Sequence, residues 1–350
     1  MSDSGIHEEI QTANLLIGSG YLVRPHIQIY PDESTGKMTD IDVFATKFDS
    51  NMNQSILLVE CKKGTQKFAD LFKLYGFKTY YGNCQAMFIS DNIGVEFRET
   101  SDKLGVRATS FQTLIGIVKQ SGEAIDEKYA EDDLANIDEF LKDVKEHAVE
   151  LYWRYHYVWL ERDPFRRFYH LQRLFSMSMK ANQGELAESP SFVWYRREIF
   201  ILSLMCLAEM SSNCADVEQK RLSAYIESRF YDIGTPKEGK EKIRRGVDAL
   251  VKQIEGLSGE PMGFKGLELI PSYVTELVPI VKRFLARPKY AQSTLLLDDL
   301  IYRKNLHALS INIAKLAKSS YQLEDVKAIN IATLKILFEG AITAEFNDFV

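Results

Sequence analysis

The chain has 350 residues, 45% of them hydrophobic and 26% charged, with a formal net charge of −6 and a pI near 5.7. Those values belong to a soluble globular chain with apolar mass for one large domain or two ordinary ones. They argue against indiscriminate coating of nucleic acid or anionic membrane and leave room for a local basic groove.

The first element predicted is a helix opening at Ser4, with Glu8 and Glu9 in its early turns and Ile10, Ala13 and Ile17 as its buried stripe; Gly18 and Gly20 stop it. Tyr21 to Tyr30 reads as a strand broken by Pro25 or as an edge strand, and Pro31 to Gly36 as a turn. Two β-branched, apolar runs follow, Thr39 to Ala45 and Ile56 to Gly64, joined by the polar interval Asp49 to Ser55; they read as a hairpin. Residues alternate faces along a strand, so Asp40 and Asp42 share one face, and so do Glu60 and Lys62. Carboxylates gathered there repel one another unless a cation sits among them.

Gln66 to Tyr81 then carries Phe68, Leu71, Phe72, Leu74, Tyr75 and Phe77 at helical spacing, with Lys67, Lys73 and Lys78 expected outside. Gln85 to Ser90 reads as a strand, and Val95 to Arg98 and Gly105 to Phe111 lead to a helix from Gln112 to Lys119. The expected order is helix, three strands, helix, strand, short strand, helix, which implies a mixed sheet with helices on its faces.

Beyond a polar linker no strand is predicted. Asp132 to Lys180 reads as one or two long helices broken at Asp163-Pro164, and Asn182 to Ser191 as a loop. Tyr195 to Glu209 reads as a buried apolar helix and Asp216 to Tyr231 as an amphipathic one. A helix starts at Thr235-Pro236, Gly256 to Pro271 is a loop, and helices with breaks at Arg287-Pro288 and Ser319-Ser320 complete the chain. The domain expectation is an α/β unit over 1–120, a linker over 121–131 and an all-helical domain over 132–350.

The early helical Glu, then Gly20-Tyr21, then Ile41-Asp42-Val43-Phe44, then Val59-Glu60-Cys61-Lys62, in that order, resembles the PD-(D/E)xK nuclease superfamily. This is the restriction-endonuclease-like fold, and the style is nearest that of Mrr-type and Holliday-junction-resolvase-type domains. The resemblance covers about the first third of the chain. It implies that Asp42 and Glu60 bind a catalytic Mg²⁺ or Mn²⁺, that Lys62 positions or activates the attacking water, and that Glu9 helps hold the metal, with Glu8 as its fallback. It also adds Gln66, where relatives keep a polar residue. Asp40 competes with Asp42, because no Pro precedes either aspartate. The donor chemistry fits independently: Mg²⁺ prefers hard oxygen ligands, and Asp42, Glu60 and the Cys61 carbonyl supply them.

Other signals are weaker. Lys63 and Lys67 lie nearest the acidic cluster in sequence and are the candidates for phosphate contact, together with Gln66, although lysines in water beside core aromatics is the expectation for that helix. Trp153, Tyr157 and Leu160 have core spacing, and His156 and His170 read as packing or surface residues. Four cysteines lie far apart without Cys-x-x-Cys spacing, which argues against zinc or disulfides and for a reducing cytoplasm. No signal peptide is visible, and Ile199 to Ala208 is too short to span a bilayer, so no membrane partner is expected. The functional expectation is a metal-dependent endonuclease, DNA favoured over RNA, in a restriction or defence setting. A homodimer or a protein partner on the helical domain is expected, and the alternative is an inactive nuclease-fold scaffold or a nucleic-acid-binding protein acting with a partner through its helical domain.

Overall fold

A computed structural model of the chain describes residues 4–30, 37–64, 66–121, 129–181, 189–231, 249, 252–253, 271, 273–306 and 323–337. The turn expected at Pro31–Gly36, most of the 121–131 linker and of the Asn182–Ser191 loop, the helix start at Thr235-Pro236, nearly all of Gly256–Pro271 and the Ser319-Ser320 break lie outside those residues.

Helix α1 (Ser4–Gly18) is followed by strands β1 (Leu22–Ile29), β2 (Thr39–Phe48) and β3 (Gln54–Lys62), helix α2 (Phe68–Tyr81) and strand β4 (Gln85–Ser90). Helix α3 (Val95–Lys103), strand β5 (Arg107–Thr109) and helix α4 (Phe111–Ser121) complete the α/β part. The strands lie side by side in chain order; β1, β2 and β3 are antiparallel, whereas β4 and β5 run parallel to β3. Helix α3 corrects the expected order, which had no helix between the last two strands. A parallel pair needs a crossover, and α3 supplies it for β4 and β5 as α2 does for β3 and β4.

Alternation sorts the sheet's apolar residues between two cores. Val23, Val43, Ala45, Leu57, Val59, Cys61, Met87 and Ile89 pack with Ile10, Ala13, Leu16 and Ile17 of α1. Leu22, Phe44, Leu58 and Phe88 pack with Leu71, Leu74 and Phe77 of α2, in a core that continues into the helical region. The β2–β3 turn is held by Asp49, whose Oδ1 accepts the backbone N–H groups of Asn51 (2.8 Å) and Asn53 (2.9 Å).

Edge strand β1 is unbroken despite Pro25, because an edge position spares the missing N–H. Its carbonyls are taken up by side chains: Val23 O accepts from the Tyr129 hydroxyl (3.2 Å) and from Arg24 Nη1 (2.8 Å), and Gln28 O accepts from His156 Nδ1 (3.1 Å).

The described residues after α4 are helical: α5 (Glu131–His147), α6 (Val149–Val158), α7 (Pro164–Ala181), α8 (Pro190–Asn213), a 3₁₀ turn (Gln219–Arg221), α9 (Leu222–Tyr231), α10 (Val274–Ala286), α11 (Pro288–Leu306) and α12 (Leu323–Leu337). The break at Asp163-Pro164 is present, and a further one at Ala148 (φ −151°, ψ 67°) separates α5 from α6. Alanine is the best helix former, so this break comes from tertiary packing and has no local signal. Tyr157, expected in a core stripe, is exposed; Tyr155, His156, Val158 and Trp159 are the buried residues of that stretch. Helix α8 is buried around its whole circumference and forms the axis on which α5, α7, α10 and α11 pack.

The α/β part and the helices are joined by a buried charge network. Arg24 on β1 donates from Nε to both carboxylate oxygens of Glu198 on α8 (2.9 Å each) and from Nη1 to Asp299 on α11, which also accepts from Arg303 Nε (3.1 Å). Burial works against the Arg24 charge, but Glu198 and Asp299 outweigh it and raise its pKa.

Candidate functional site

Register places the acidic residues. Val43 on β2 pairs with Val59 on β3, so Asp42 and Glu60 are the next cross-strand neighbours. Pro25 and Ile27 pair with Val43 and Ile41, which sets His26 opposite Asp42 on the other side. His26 is one of two non-glycine residues in left-handed backbone (φ 54°) among the described residues.

Asp42 and Glu60 are both buried. Asp42 Oδ2 accepts the Cys61 N–H at 2.7 Å and lies 3.5 Å from Lys62 Nζ. The same ammonium stands 2.6 Å from Glu60 Oε1, and Lys73 of α2 stands 2.6 Å from Glu60 Oε2 and 3.4 Å from Asp40 Oδ1. Asp40 is also paired with Lys37 (2.9 Å). Asp42, Glu60, Lys62, Lys73 and Asp40 thus form one cluster at the end of β2 and β3. Glu9 of α1 borders it, its carboxylate tied to His26 Nδ1 at 3.2 Å.

The electrostatics separate the acids. Burial, then the Asp42 charge, pushes the Glu60 carboxyl up to about 7, against the pull of Lys73 and Lys62. Burial likewise raises Asp42 and Glu9. For Asp40 burial is outweighed by Lys37 and Lys73, and its carboxyl is held at about 2. Lys62 and Lys73 are both raised, because the carboxylates overcome the cost of burying each ammonium. Asp40 is therefore held ionised, whereas burial biases Asp42 and Glu60 towards their neutral forms in spite of the ammoniums beside them.

The remaining expected residues are spread around this centre. The Cys61 side chain faces the α1 core, with its thiol 3.4 Å from Thr12 Oγ1. Gln66 Oε1 accepts the Gly94 N–H at 3.3 Å, Lys67 is exposed at the start of α2, and Lys63 makes a long 3.7 Å pair with Glu8. Lys78, expected outside, is engaged with the α3–β5 turn, donating to Gly105 O (2.6 Å) and Leu104 O (3.3 Å).

Lys73 is the residue that reading the sequence misplaced, as a solvent-facing lysine. It lies one helical turn before buried Phe77, on the flank of the packed face, and that i, i+4 relation was its only signal. The aromatics of α2 also depart from expectation: Phe68, Phe72 and Tyr75 face solvent, and only Leu71, Leu74 and Phe77 are buried.

Among the described residues, no three His, Cys, Asp or Glu side chains gather closely enough to hold a metal ion unaided. The pair Asp42 and Glu60 nonetheless fits a hard divalent cation. Both are raised carboxyls, and buried Glu60 Oε1, although beside Lys62, takes no well-directed hydrogen bond. Mg²⁺ commonly uses one or two carboxylates and completes its shell with water and substrate oxygens.

No protein-family model, curated protein or solved structure matches the chain. Among the described residues no helix is long and apolar enough to cross a membrane, and all four cysteines are free.

Proposed function

We propose that the protein is a metal-dependent nuclease of restriction-endonuclease-like fold that hydrolyses phosphodiester bonds, DNA being the favoured substrate. The observation that carries this reading is the meeting of Asp42 and Glu60, from neighbouring strands, at a single ammonium, that of Lys62. The sheet order and the sequence Val59-Glu60-Cys61-Lys62 support it together. Asp42 and Glu60 would hold Mg²⁺ or Mn²⁺, with the Cys61 carbonyl beside them and Glu9 in an outer position through His26. When bound, the cation lowers the pKa of a coordinated water and offsets charge on the scissile phosphate. Lys62 orients the attacking water and stabilises the phosphate's developing negative charge. Lys73 keeps Glu60 closer to its ionised form, since its charge lowers the Glu60 pKa.

The test is a plasmid-nicking assay with Mg²⁺ or Mn²⁺ on the wild type and on Lys62→Ala. Cation-dependent nicking that disappears in the variant is expected; nicking by both proteins alike would assign it to a contaminant and reject the reading.

One observation favours a second reading, an inactive nuclease-fold scaffold: Lys62 and Lys73 stand at both oxygens of Glu60, where a cation would bind. Titration calorimetry with Mn²⁺ separates the two. Heat of binding that is lost in Asp42→Asn supports the nuclease, and no heat from the wild type supports the scaffold.

A further inference from the structure

The helix that sends Lys73 into the acidic cluster turns three aromatic side chains to water. Phe68, Phe72 and Tyr75 are 39%, 54% and 39% exposed, whereas soluble proteins normally bury such rings. At spacings of four and three residues they lie on one stripe, about 10 Å long, on the shoulder of α2 that adjoins Leu71 and turns away from Leu74 and Phe77. Phe68 leans on Phe97 (5.3 Å between ring centres), while among the described residues neither Phe72 nor Tyr75 pairs with another ring. Exposed Lys63 and Lys67 precede this stripe in the chain, while Lys73 leaves α2 on its other shoulder, about 100° round from Phe72, and contacts Glu60 and Asp40. Asp70 is the one acid within α2, in a chain whose net charge is −6.

We propose that the solvent face of α2 is a stacking platform for unpaired bases, which makes single-stranded or locally opened DNA the substrate of the neighbouring cluster; this inference rests on the nuclease reading above. Two observations favour this occupant over a protein. Rings flanked by cations match a strand that offers π-faces and phosphates alternately. The three half-exposed rings present on the order of 300 Å², well below the roughly 800 Å² per partner of a stable protein interface. A buried base pair offers no face to these rings, so duplex DNA gains little from them.

The experiment is fluorescence anisotropy in EDTA, with labelled oligothymidine, the same strand made of abasic units, and a duplex of equal length. The wild type is expected to bind oligothymidine about tenfold more tightly than the abasic strand, the scale of one stacked base. Phe72→Ala should remove that preference and leave abasic binding unchanged, whereas Phe72→Trp should keep it. Equal binding of all three probes by the wild type overturns the inference. So does a Phe72→Ala loss of the same size on both single strands. Sedimentation showing that Phe72→Ala dissociates a dimer, with the base preference intact, also overturns it and assigns the face to a second copy. Because no cation is present, failure to cut single-stranded circular DNA with Mg²⁺ or Mn²⁺, with base-dependent binding retained, rejects hydrolysis alone. Base-blind binding by an active nuclease rejects the stacking face alone.

Discussion

Two buried charge clusters lie on the same sheet and are built from different cations. At Arg24, the side chains of Arg24, Glu198, Asp299 and Arg303 are at most 6% exposed, and the positive charges are guanidinium forks. At Glu60, the Asp42 and Glu60 carboxylates are as deeply buried, but their partners are Lys62 and Lys73, 31% and 22% exposed. A guanidinium fork fixes the geometry of the carboxylates it meets, whereas an ammonium on a flexible stem that reaches solvent can be replaced. The first cluster is a joint between the α/β part and the helices. The second pairs its buried carboxylates with ammoniums that reach solvent.

The comparison can be broken most severely at the joint. Arg24→Ala leaves Glu198 and Asp299 buried without their guanidinium and is expected to cost about 3–5 kcal/mol in urea unfolding. A loss below about 1 kcal/mol would show that the joint contributes no more than a surface pair. Next comes Lys62→Ala, expected to lower nicking by about 100-fold or more. Its unfolding midpoint should barely move, since the ammonium is partly solvated. Asp42→Asn should weaken Mn²⁺ by more than the roughly tenfold typical of losing an outer partner, as read by calorimetry.

The smallest effects are those of pH, and their sign is fixed. The Glu60 carboxyl at about 7 lies above its ordinary 4.5, so the stability contributed by its proton is complete below 4.5 and lost as pH rises through 7. A bound cation needs the ionised form, so Mn²⁺ affinity should fall as pH drops below about 7. Mn²⁺ should accordingly raise the melting temperature more on the alkaline side of that value than on the acid side. Lys73→Ala removes a charge that lowers the Glu60 pKa, so the acid limb of the affinity profile should move to higher pH. An unmoved limb would remove Lys73 from the site.

Short-range patterns made most of the α/β part legible. Strands β2 and β3, the polar turn at Asp49 and the shared face of Glu60 and Lys62 follow from alternation and turn chemistry, which act over a few residues. What escaped depends on distant partners. Arg24 meets Glu198 across 174 positions and Asp299 across 275, and nothing near Pro25 announces either. The inward turn of Lys73 and the outward turn of Phe72 escaped for one reason: α2 is apolar on both sides, so composition alone did not fix which side faces the sheet. Helix α3 was missed because Val95 to Arg98 is too short a run to separate strand from helix by period.

The treatment of β1 governs how copies of the molecule can associate. Pro25 brings no amide proton to that margin, and Tyr129, His156 and Arg24 itself occupy the carbonyls of Val23 and Gln28. A foreign strand therefore finds little to zip onto there, and an intermolecular ribbon cannot grow from this border. Two copies would have to assemble through some other part of the surface, and fibre-like aggregation would have to begin elsewhere as well.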